Sequence, residues 1–553
     1  MAPASSLFHV PSIYRTFRLD GAPVDSLSYP AGAFLAYVPL LVAGVRTQLA
    51  NIVDLIAWFA GAVLLWRLLP RAYRWLAALP IGIPLYSDFV IGGGTDALWV
   101  PFLIVALWRW DRYGDPDEAS AARWIGPLAL GAAMSIKQIP WFALPFLLAG
   151  IGLETRGRGV GVARVLRRYL RSAGGVFAAV NLPFVVWSPG HWLHGILVPL
   201  AQPLIPDGQG LVNLTLGAGR GGGLLAAYSI AALALYVLLL LAYLDRPAAL
   251  KRGWPILVAV VFFIPTRSFA TYMIMPLPAA LVAALTVGPA VVEAASRPRW
   301  LAPGLLVAGV VCVVAGALAL ALPGPLSLRV LGTTSTGQLQ TIDEITVEVR
   351  NRTNHTVAPH FSVLALGHTT SFWYPFDGRR AGVVVLPAHA SVAVRLRAPN
   401  TQATVPIRSG FVVEAFTTRP DALSTASVQR PQVEAISIEP AAVQSPIRVG
   451  QRVALTAQLQ DRYGGPIHRA GVVVALAQVV YSEDSLVPGE ASINGQTEGQ
   501  SPVQARTDAH GAAHFTITAA QAQSEPVNFQ SWIATPGTAP FGYSNQVSVQ
   551  FVP

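Results

Sequence analysis

Residues 301–330 read LAPGLLVAGVVCVVAGALALALPGPLSLRV, and within this stretch the chain changes from one solvent environment to another. The run from Leu301 to Leu322 is apolar throughout, and a helix needs about 20 such residues to cross the hydrocarbon core of a bilayer. Beyond Pro323 no comparable run occurs, and short alternating segments are separated by Gly, Pro, Asn and Asp. The sequence therefore predicts a polytopic α-helical membrane domain followed by an all-β, water-soluble region.

The charge distribution supports this division. The chain has 553 residues and a net charge of +10, yet residues 325–553 contain 15 Arg, no Lys and 15 acidic residues. The whole positive excess therefore lies in the first part, in loops between apolar runs, where it acts as a topology signal. This distribution predicts no nucleic-acid partner, since such partners require a continuous basic surface.

The first part contains ten predicted spans, and its basic residues fall in alternate loops. Placing residues 67–74, 110–123, 154–172, 245–253 and 297–299 in the cytoplasm satisfies the positive-inside rule with a single alternating path. That path puts the intervening loops and the C-terminal region outside, so we predict a multi-pass protein of the bacterial plasma membrane with extracytoplasmic C-terminal domains. The predicted spans are 47–66, 75–91, 96–109, 124–137, 139–153, 173–189, 221–244, 254–267, 270–288 and 300–322, and the predicted outer segments are 92–95, 137–138, 190–220 and 266–267.

Residues 1–28 contain neither a signal peptide nor a span, and they run into Tyr29-Pro30 and a short apolar stretch. One interpretation is that they are the remnant of an extracytoplasmic loop and that a natural chain begins further upstream. The other is a true start in the cytoplasm, with residues 30–45 as an ordinary first span.

Several charged or polar residues lie close to the predicted outer face, where such groups commonly face a cavity or a partner. Asp88 lies near the end of one span, and Asp96 follows the glycines at 92–94 and opens the next helix, where a helix cap is the simpler interpretation. Lys137 lies at a break between two apolar runs, where an ammonium either holds a lipid phosphate or extends to the interface as an anchor. Arg267 offers a planar guanidinium that grips phosphate oxygens in a bidentate way.

Carboxylates, cations and tyrosines on one face of a membrane domain match the needs of an enzyme that uses a sugar linked through phosphate to a polyprenyl lipid. A carboxylate removes the proton of the acceptor hydroxyl, while cations stabilise the leaving phosphate. No metal site is predicted, because His191 and His194 have no third ligand nearby in the sequence, and no cofactor is predicted. The only cysteine, Cys312, lies in an apolar run, so no disulfide framework is expected.

At residues 14–290 the membrane part resembles the polytopic glycosyltransferases of the C superfamily, in particular the polyprenyl-phosphate-sugar, mannosyltransferase-like branch. Four patches carry the resemblance, and their order and spacing matter more than any one of them. They are Leu19-Asp20-Gly21-Ala22-Pro23 through Tyr29-Pro30 and residues 37–40; Gly94-Thr95-Asp96-Ala97-Leu98; Lys137-Gln138 with Pro140 and Pro145; and Arg267-Ser268-Phe269 with Tyr272 and Pro276.

The resemblance implies a catalytic carboxylate early in the first outer loop, a position that here falls at or before Met1. This departure leaves the assignment of the base open, and it raises the expectation that the chain is N-terminally truncated. The implied catalytic candidates are Asp20, Asp25 and Asp88, and the implied substrate-binding residues are Asp96, Lys137, Gln138, Arg267 and Tyr272.

Residues 325–430 are predicted to form a first β-sandwich, with strands at 345–349, 361–366, 382–386, 391–396 and 410–416. Asn351 and Asn354, each in an Asn-x-Thr triplet, are predicted to be turn residues. Phe372-Trp373-Tyr374 is either a sugar-stacking surface or part of the core, and the core is favoured.

Residues 432–553 resemble the bacterial immunoglobulin-like domains of invasin-type surface proteins. The resemblance rests on alternating Val453, Leu455, Ala457 and Leu459, on the turn at 461–466, and on the turn at 505–513, whose Asp and Gly suit a hairpin. It implies an extracytoplasmic spacer or binding module, and the two sandwiches are expected to be immunoglobulin-like.

The leading hypothesis is an integral membrane glycosyltransferase that transfers a sugar from a polyprenyl-phosphate donor to a lipid, glycan or protein acceptor of the envelope, with membrane lipids around it. The alternative is a non-catalytic, membrane-anchored envelope or adhesion protein that presents two immunoglobulin-like modules. A transporter is disfavoured, because no internal repeat symmetry is evident.

Overall fold

A computed structural model gives the fold of most of the chain. The described residues are 17–24, 28–46, 48–83, 90, 95–115, 122–201, 203–289, 298–335, 341–365, 368–369, 372–376, 383–400, 403–406, 409–429, 433–435, 437–440, 445–460, 465–479, 491–497, 502–522, 526–533 and 547–553. The chain divides into two compact units: a helical unit, chiefly Thr16–Thr215 and Arg220–Pro323, and a β-rich unit, chiefly Gly324–Pro553.

The helical unit consists of helices of very unequal length. In chain order they are α1 (Gly32–Leu35), α2 (Val38–Val42), α3 (Leu49–Leu68), α4 (Leu79–Gly82), α5 (Val100–Leu107), α6 (Ala122–Ile136), α7 (Ile139–Gly157), α8 (Val162–Trp187), α9 (Pro189–Ala201), α10 (Val212–Ala218), α11 (Ala226–Asp245), α12 (Pro247–Leu250), α13 (Trp254–Val261), α14 (Ala270–Ile274), α15 (Leu277–Thr286) and α16 (Leu301–Ala321). Short 3₁₀ helices span Arg71–Ala78, Thr95–Ala97 and Trp110–Arg112.

Within the described part of the chain, four helices are long and apolar enough to cross a membrane: α3, α8, α11 and α16. They correspond to four of the ten predicted spans. The predicted spans 124–137 and 139–153 correspond to the continuous helices α6 and α7. The spans at 96–109, 254–267 and 270–288 contain shorter helices: Pro101 opens α5, Arg109 (φ 48°) follows it, and Pro265 follows α13. Part of the predicted span at 75–91 lies outside the described residues.

The core of the helical unit is built around aromatic side chains. The ring of Phe146 on α7 stacks on Trp254 at 5.8 Å and on Tyr243 at 6.0 Å between centroids. All three residues are fully buried, and α11 packs along α16 while α8 packs along α6. Such rings bury large apolar areas, so this cluster contributes strongly to the stability of the unit.

The β-rich unit consists of several small sheets. Its strands are β3 (Leu326–Ser335), β4 (Thr341–Ile342), β5 (Glu344–Asn351), β6 (His360–Ala365), β7 (His368–Thr369), β8 (Tyr374–Pro375), β9 (Ser391–Arg397), β10 (Val405–Pro406), β11 (Phe411–Thr418), β12 (Asp421–Val428), β13 (Val433–Ala435), β14 (Ser437–Pro440), β15 (Ile447–Arg448), β16 (Val453–Gln460), β17 (Val473–Val479), β18 (Ala491–Ile493), β19 (Gln496–Thr497), β20 (Val503–Arg506), β21 (Ala512–Ala519), β22 (Val527–Ile533), β23 (Val547–Val549) and β24 (Phe551–Val552); β1 (Asp207–Gly208) and β2 (Arg267–Ser268) belong to the helical unit.

The first two larger sheets have strand orders β13-β3-β5-β9-β8 and β12-β11-β6-β7, and their inward side chains form one core. Trp373, 1% exposed, belongs to this core, so the core interpretation of the Phe-Trp-Tyr segment holds for its tryptophan. Four of the five predicted strands are present as β5, β6, β9 and β11. The expected strand at 382–386 is wrong for the described residues 383–386, which make only an isolated bridge from Leu386 to Val357.

The last two larger sheets have strand orders β14-β16-β21-β18-β19 and β20-β17-β22-β23, and they too share a core. Leu455, Ala457 and Leu459 point into it, as the alternation in the sequence predicts. The predicted turn at 461–466 lies mostly outside the described residues.

The predicted turn before β21 is built around Asp508 and Gly511. Oδ1 of Asp508 accepts hydrogen bonds from the backbone N–H groups of Ala512 (3.0 Å) and His510 (2.8 Å), and Oδ2 lies 3.2 Å from Nε2 of His514. Gly511 has φ +78°, and a Cβ there would lie 1.8 Å from the carbonyl oxygen of Ile467, so only glycine fits.

The pH dependence of stability in this turn follows from Asp508. The hydrogen bond from the Ala512 N–H lowers the pKa of the Asp508 carboxyl most, and the hydrogen bond with His514 has the next largest effect. Together they bring this pKa from 3.8 to about 2. A lowered pKa gives a stabilising contribution that is present above the ordinary pKa and is lost as the pH falls through the folded value. Asp508→Asn should therefore lower the melting temperature of the β-rich unit at about pH 5 and have less effect near pH 2. Scanning calorimetry of the full chain in a neutral detergent measures this, and a pH-independent difference would contradict it.

Candidate functional site

Several segments predicted to lie outside the membrane meet at one end of the helical unit. The backbone of Leu19 donates to the carbonyl of Pro203 (2.9 Å), so the N-terminal segment joins the long loop 190–220. In the same loop, β1 pairs in parallel with β2, which places Asp207 opposite Arg267. The structure thus brings together the N-terminal segment, the loop 190–220 and the segment around Arg267. We call this the loop end of the helical unit.

A buried ion pair lies at this end. Lys137 follows α6 at the break before α7, and its ammonium forms an ion pair and hydrogen bond with a carboxylate oxygen of Asp96 in the Thr95–Ala97 turn. The side chains are only 5% and 13% exposed, respectively. A buried charge is tolerated when it is paired, so the pairing accounts for the lysine inside an apolar bundle.

Two tyrosine rings enclose the same ammonium. Nζ of Lys137 lies 5.1 Å from the ring centroid of Tyr29 and 4.9 Å from that of Tyr272. These are cation–π distances, and they complete the shell around the ammonium. Close packing of α1 against α6 helps to place Tyr29, because Gly32 lies against Ser135: a Cβ on Gly32 would be 2.6 Å from the Ser135 carbonyl oxygen.

Asp54 is a further carboxylate of this neighbourhood, and the sequence analysis missed it. It lies on α3, is 0% exposed, and interacts electrostatically with Asp96 and Lys137. Both its carboxylate oxygens are buried without a hydrogen-bond partner among the residues the structure describes. The available signal was a carboxylate near the middle of the predicted span 47–66, because ionisable residues inside spans are rare and commonly functional. We call Asp54, Asp96, Lys137, Tyr29 and Tyr272 the buried charge cluster.

Gln138 and Arg267 fix loops around this cluster. Nε2 of Gln138 donates to the carbonyl oxygens of Ser28 (2.6 Å) and Ile196 (3.1 Å), so this side chain ties the loops together. Nη1 of Arg267 donates to the carbonyl of Ile205 (3.0 Å), and its guanidinium lies 5.1 Å from the ring of Phe269. Arg267 is partly exposed and interacts electrostatically with Tyr272, so it lies near the cluster.

The three carboxylates predicted to be catalytic are not brought to the cluster by any contact that the structure describes. Asp20 forms an exposed ion pair with Arg18 (3.0 Å), and its Oδ1 accepts a hydrogen bond from the backbone N–H of Ala22. These contacts stabilise the turn at residues 18–22. Asp25 and Asp88 lie outside the described residues, and their assignment stays a prediction.

A second buried ionic cluster joins three loops that are predicted to be cytoplasmic. Nζ of Lys251 lies 2.9 Å from Oε1 of Glu154 and 3.2 Å from Oδ2 of Asp111, and it donates to the carbonyl of Pro289 (3.0 Å). Arg158 donates to the backbone carbonyl of Asp111, and the backbone N–H of Gly288 donates to the Asp111 carboxylate. All these charges are balanced locally, so the cluster acts as a structural clamp. The sequence analysis had counted Lys251 only as a topology signal.

The buried charge cluster and the nearby Arg267 together contain the groups needed for proton transfer and for anion stabilisation. Asp96 supplies a carboxylate that Lys137 holds in place, Asp54 supplies a second, and Arg267 supplies a partly accessible cation nearby. Among the described residues no group of three or more His, Cys, Asp or Glu side chains is arranged to hold a metal ion.

No protein-family model matches the chain, and no curated protein matches its sequence. Solved structures with local similarity include the adhesin InvE of Yersinia pseudotuberculosis (13% identity, TM-score 0.20, 41% of this chain and 59% of that chain). They also include red sea bream transglutaminase (12% identity, TM-score 0.16, 49% and 35%) and a β-glucuronidase of Parabacteroides merdae (12% identity, TM-score 0.14, 43% and 26%). The chain thus spans 59% or less of the length of these three proteins.

The buried pair makes a prediction about stability. Lys137→Met leaves the Asp96 carboxylate buried without its counter-charge, so we expect a loss of about 3–5 kcal/mol. The double variant Lys137→Met/Asp96→Leu should be more stable than Lys137→Met alone, because neither charge remains. Thermal unfolding in detergent, followed by tryptophan fluorescence, measures the differences.

The matched control is the exposed pair in the same unit. Arg18→Met should cost less than about 1 kcal/mol, because Asp20 stays solvated. Equal losses for Lys137→Met and Arg18→Met would show that burial does not determine the strength of the Lys137–Asp96 pair.

Proposed function

We propose that this protein is an integral membrane glycosyltransferase that moves a sugar from a polyprenyl-phosphate donor to a lipid, glycan or protein acceptor on the extracytoplasmic face of a bacterial plasma membrane. The observation that carries the proposal is the buried charge cluster at the loop end of the helical unit. Ionisable side chains inside a membrane domain are costly, so a cluster of carboxylates, a lysine and tyrosines favours a functional site. The resemblance of residues 14–290 to C-superfamily glycosyltransferases points to the same reaction.

In this reaction the oxygen of the acceptor hydroxyl attacks the anomeric carbon of the donor sugar. The bond between that carbon and the phosphate oxygen breaks, and polyprenyl phosphate leaves with both bonding electrons. The hydroxyl proton passes to a carboxylate acting as general base, and a cation stabilises the charge that develops on the leaving phosphate.

Asp96 is the base that the geometry favours. Its side chain is 13% exposed and is oriented by Lys137, whereas Asp54 is fully buried. Asp54 is the second carboxylate of the site, and Asp20, Asp25 and Asp88 remain candidates from the sequence. Lys137 is a positioning residue here, because Asp96 already neutralises it.

Arg267 is the proposed phosphate ligand. Its guanidinium has one N–H engaged by the carbonyl of Ile205, which leaves other donors for a phosphate. Gln138 and Tyr272 shape the same end of the site. The polyprenyl tail would lie along the apolar helix surfaces, where Val186, Leu233 and Val313 are 65–73% exposed.

The two parts of the β-rich unit, 325–430 and 432–553, are proposed to be immunoglobulin-like sandwiches that engage the acceptor or the envelope. Each part has two larger sheets that share a core, which supports this assignment. One strand crosses the boundary: β13 (Val433–Ala435) pairs with β3 in the first sheet.

One observation favours the non-catalytic alternative, a membrane-anchored envelope protein that presents the two β modules. Lys137 and Asp96 neutralise each other and are both largely buried, as in a purely structural ion pair. The activity assay below separates the two functions.

Sugar transfer should depend on the buried carboxylates. In proteoliposomes supplied with radiolabelled polyprenyl-phosphate mannose and membrane-lipid acceptors, Asp96→Asn should reduce turnover by about 10²–10⁴-fold, since a general base contributes that factor. Arg267→Gln should reduce it as well, because the leaving phosphate loses its cation.

Asp20→Asn is the matched control, because this carboxylate is exposed and lies in a turn. Loss of turnover in Asp20→Asn with full activity in Asp96→Asn would show that the general base is Asp20, in the N-terminal loop, and not Asp96. Absence of transfer by the wild type with several donors and acceptors would favour the anchor.

Topology gives an independent prediction. In a Cys312→Ala background, Gln451→Cys in the β-rich unit should react with a membrane-impermeant maleimide in intact cells, whereas Gly161→Cys should react only after the membrane is opened. The reverse pattern would place the C-terminal region in the cytoplasm and overturn the extracytoplasmic assignment.

A further inference from the structure

A basic cavity lies in the β-rich unit, apart from the proposed catalytic cluster. Its volume is about 310 Å³, and it is lined by Ser327, Arg350, Asn351, Arg352 and His389. Ser327 lies opposite Arg350 in the ladder of β3 and β5, and Arg352 follows the end of β5. The cavity therefore lies where the chain enters and leaves the first sheet.

Asn351 builds the walls of the cavity. It is 0% exposed, and Nδ2 donates to the carbonyl oxygens of His355 (2.8 Å), Leu386 (3.2 Å) and Pro387 (2.9 Å). Its Oδ1 accepts from the backbone N–H and the hydroxyl of Thr353. The amide thus fixes the turn after β5 and the segment that leads to His389, and no donor of Asn351 is left for a ligand.

The two arginines of the cavity differ from their neighbours in their pairing with described acidic residues. Other arginines of the same sheet are paired: Arg329 lies 2.8 Å from Glu348, and Arg397 lies 3.3 Å from Glu344. Arg350 and Arg352 have no acidic partner among the residues that the structure describes. Two guanidinium groups and an imidazole around one cavity favour an anion that accepts several hydrogen bonds, such as a phosphate group.

The position of the cavity in the chain favours a membrane lipid as the source of that phosphate. Ser327 follows the end of α16 at Ala321 by six residues, which span about 20 Å at most when extended. In the chain segment that leads to His389, Val383 and Val385 are 76% and 60% exposed. Exposed apolar side chains beside clustered cations are typical of a surface that contacts an anionic membrane interface.

We propose that this cavity binds the phosphate headgroup of an anionic membrane lipid through Arg350, Arg352 and His389, while Val383 and Val385 enter the interface. Such binding would hold the first β domain against the bilayer surface. The proposal is independent of the glycosyltransferase assignment, because it uses none of the residues of the buried charge cluster.

The test uses the full chain in neutral detergent micelles. Binding of dihexanoyl-phosphatidylglycerol is measured by calorimetric titration, with dihexanoyl-phosphatidylcholine and inorganic phosphate as the other ligands. We expect phosphatidylglycerol to bind at least tenfold more tightly than either of them, and Arg350→Gln/Arg352→Gln to weaken that binding at least tenfold.

The matched control is Arg448→Gln/Arg452→Gln, which removes two exposed arginines from another part of the β-rich unit. This control should leave the affinity for phosphatidylglycerol unchanged. If it weakened binding as much as Arg350→Gln/Arg352→Gln, the effect would be one of net charge, and the proposal would be overturned. Phosphatidylcholine binding as tightly as phosphatidylglycerol would also overturn it. Inorganic phosphate binding as tightly would overturn the lipid assignment and identify a soluble-anion site.

A second substitution separates the apolar contact from the charge. Val383→Ser/Val385→Ser keeps both arginines, so binding of the soluble short-chain lipid should change less than twofold, whereas protection of the 383–389 segment from protease in anionic nanodiscs should fall. Equal protection in neutral and anionic nanodiscs for the wild type would contradict the membrane contact.

Discussion

The helical unit depends on the requirement that a charge inside an apolar bundle have a partner. Lys137 meets this requirement through Asp96 and through the rings of Tyr29 and Tyr272, and these four residues come from segments that are far apart in the sequence. One ammonium therefore fixes the relative positions of α1, α6, the turn before α5, and α14. The break between α6 and α7 is what allows the lysine to reach its partners.

The same requirement is met a second time around Lys251, which Asp111 and Glu154 neutralise. The two lysines of the chain, its only ones, are thus both buried in ionic clusters. Lysine concentrates its charge on one small group, so a few oxygens can surround it completely. The two clusters involve different loops of the helical unit.

The sequence was sufficient for features that depend on local pattern. The change from apolar runs to alternating strands at Pro323, the strands around Ile345 and Phe361, and the turn at Asp508 follow from hydrophobic period and turn chemistry. The sequence also singled out both Asp96 and Lys137 as candidate substrate-binding residues, but it did not predict that they form an ion pair. Asp54 was missed because a single carboxylate in an apolar run does not reveal which residues face it. An apolar run also does not show where proline or a left-handed residue ends its helix, so the end of α5 within the predicted span 96–109 was not accessible from the sequence.

Asn351 carries one more consequence. Both Asn351-Arg352-Thr353 and Asn354-His355-Thr356 read as acceptor triplets for N-linked oligosaccharides. The amide nitrogen of Asn351, however, is buried and donates to three carbonyls, whereas Asn354 is exposed. In the folded chain only the second of these two triplets is open to an oligosaccharyltransferase, so a eukaryotic secretory host would place its glycan on Asn354, inside the turn that Asn351 holds closed.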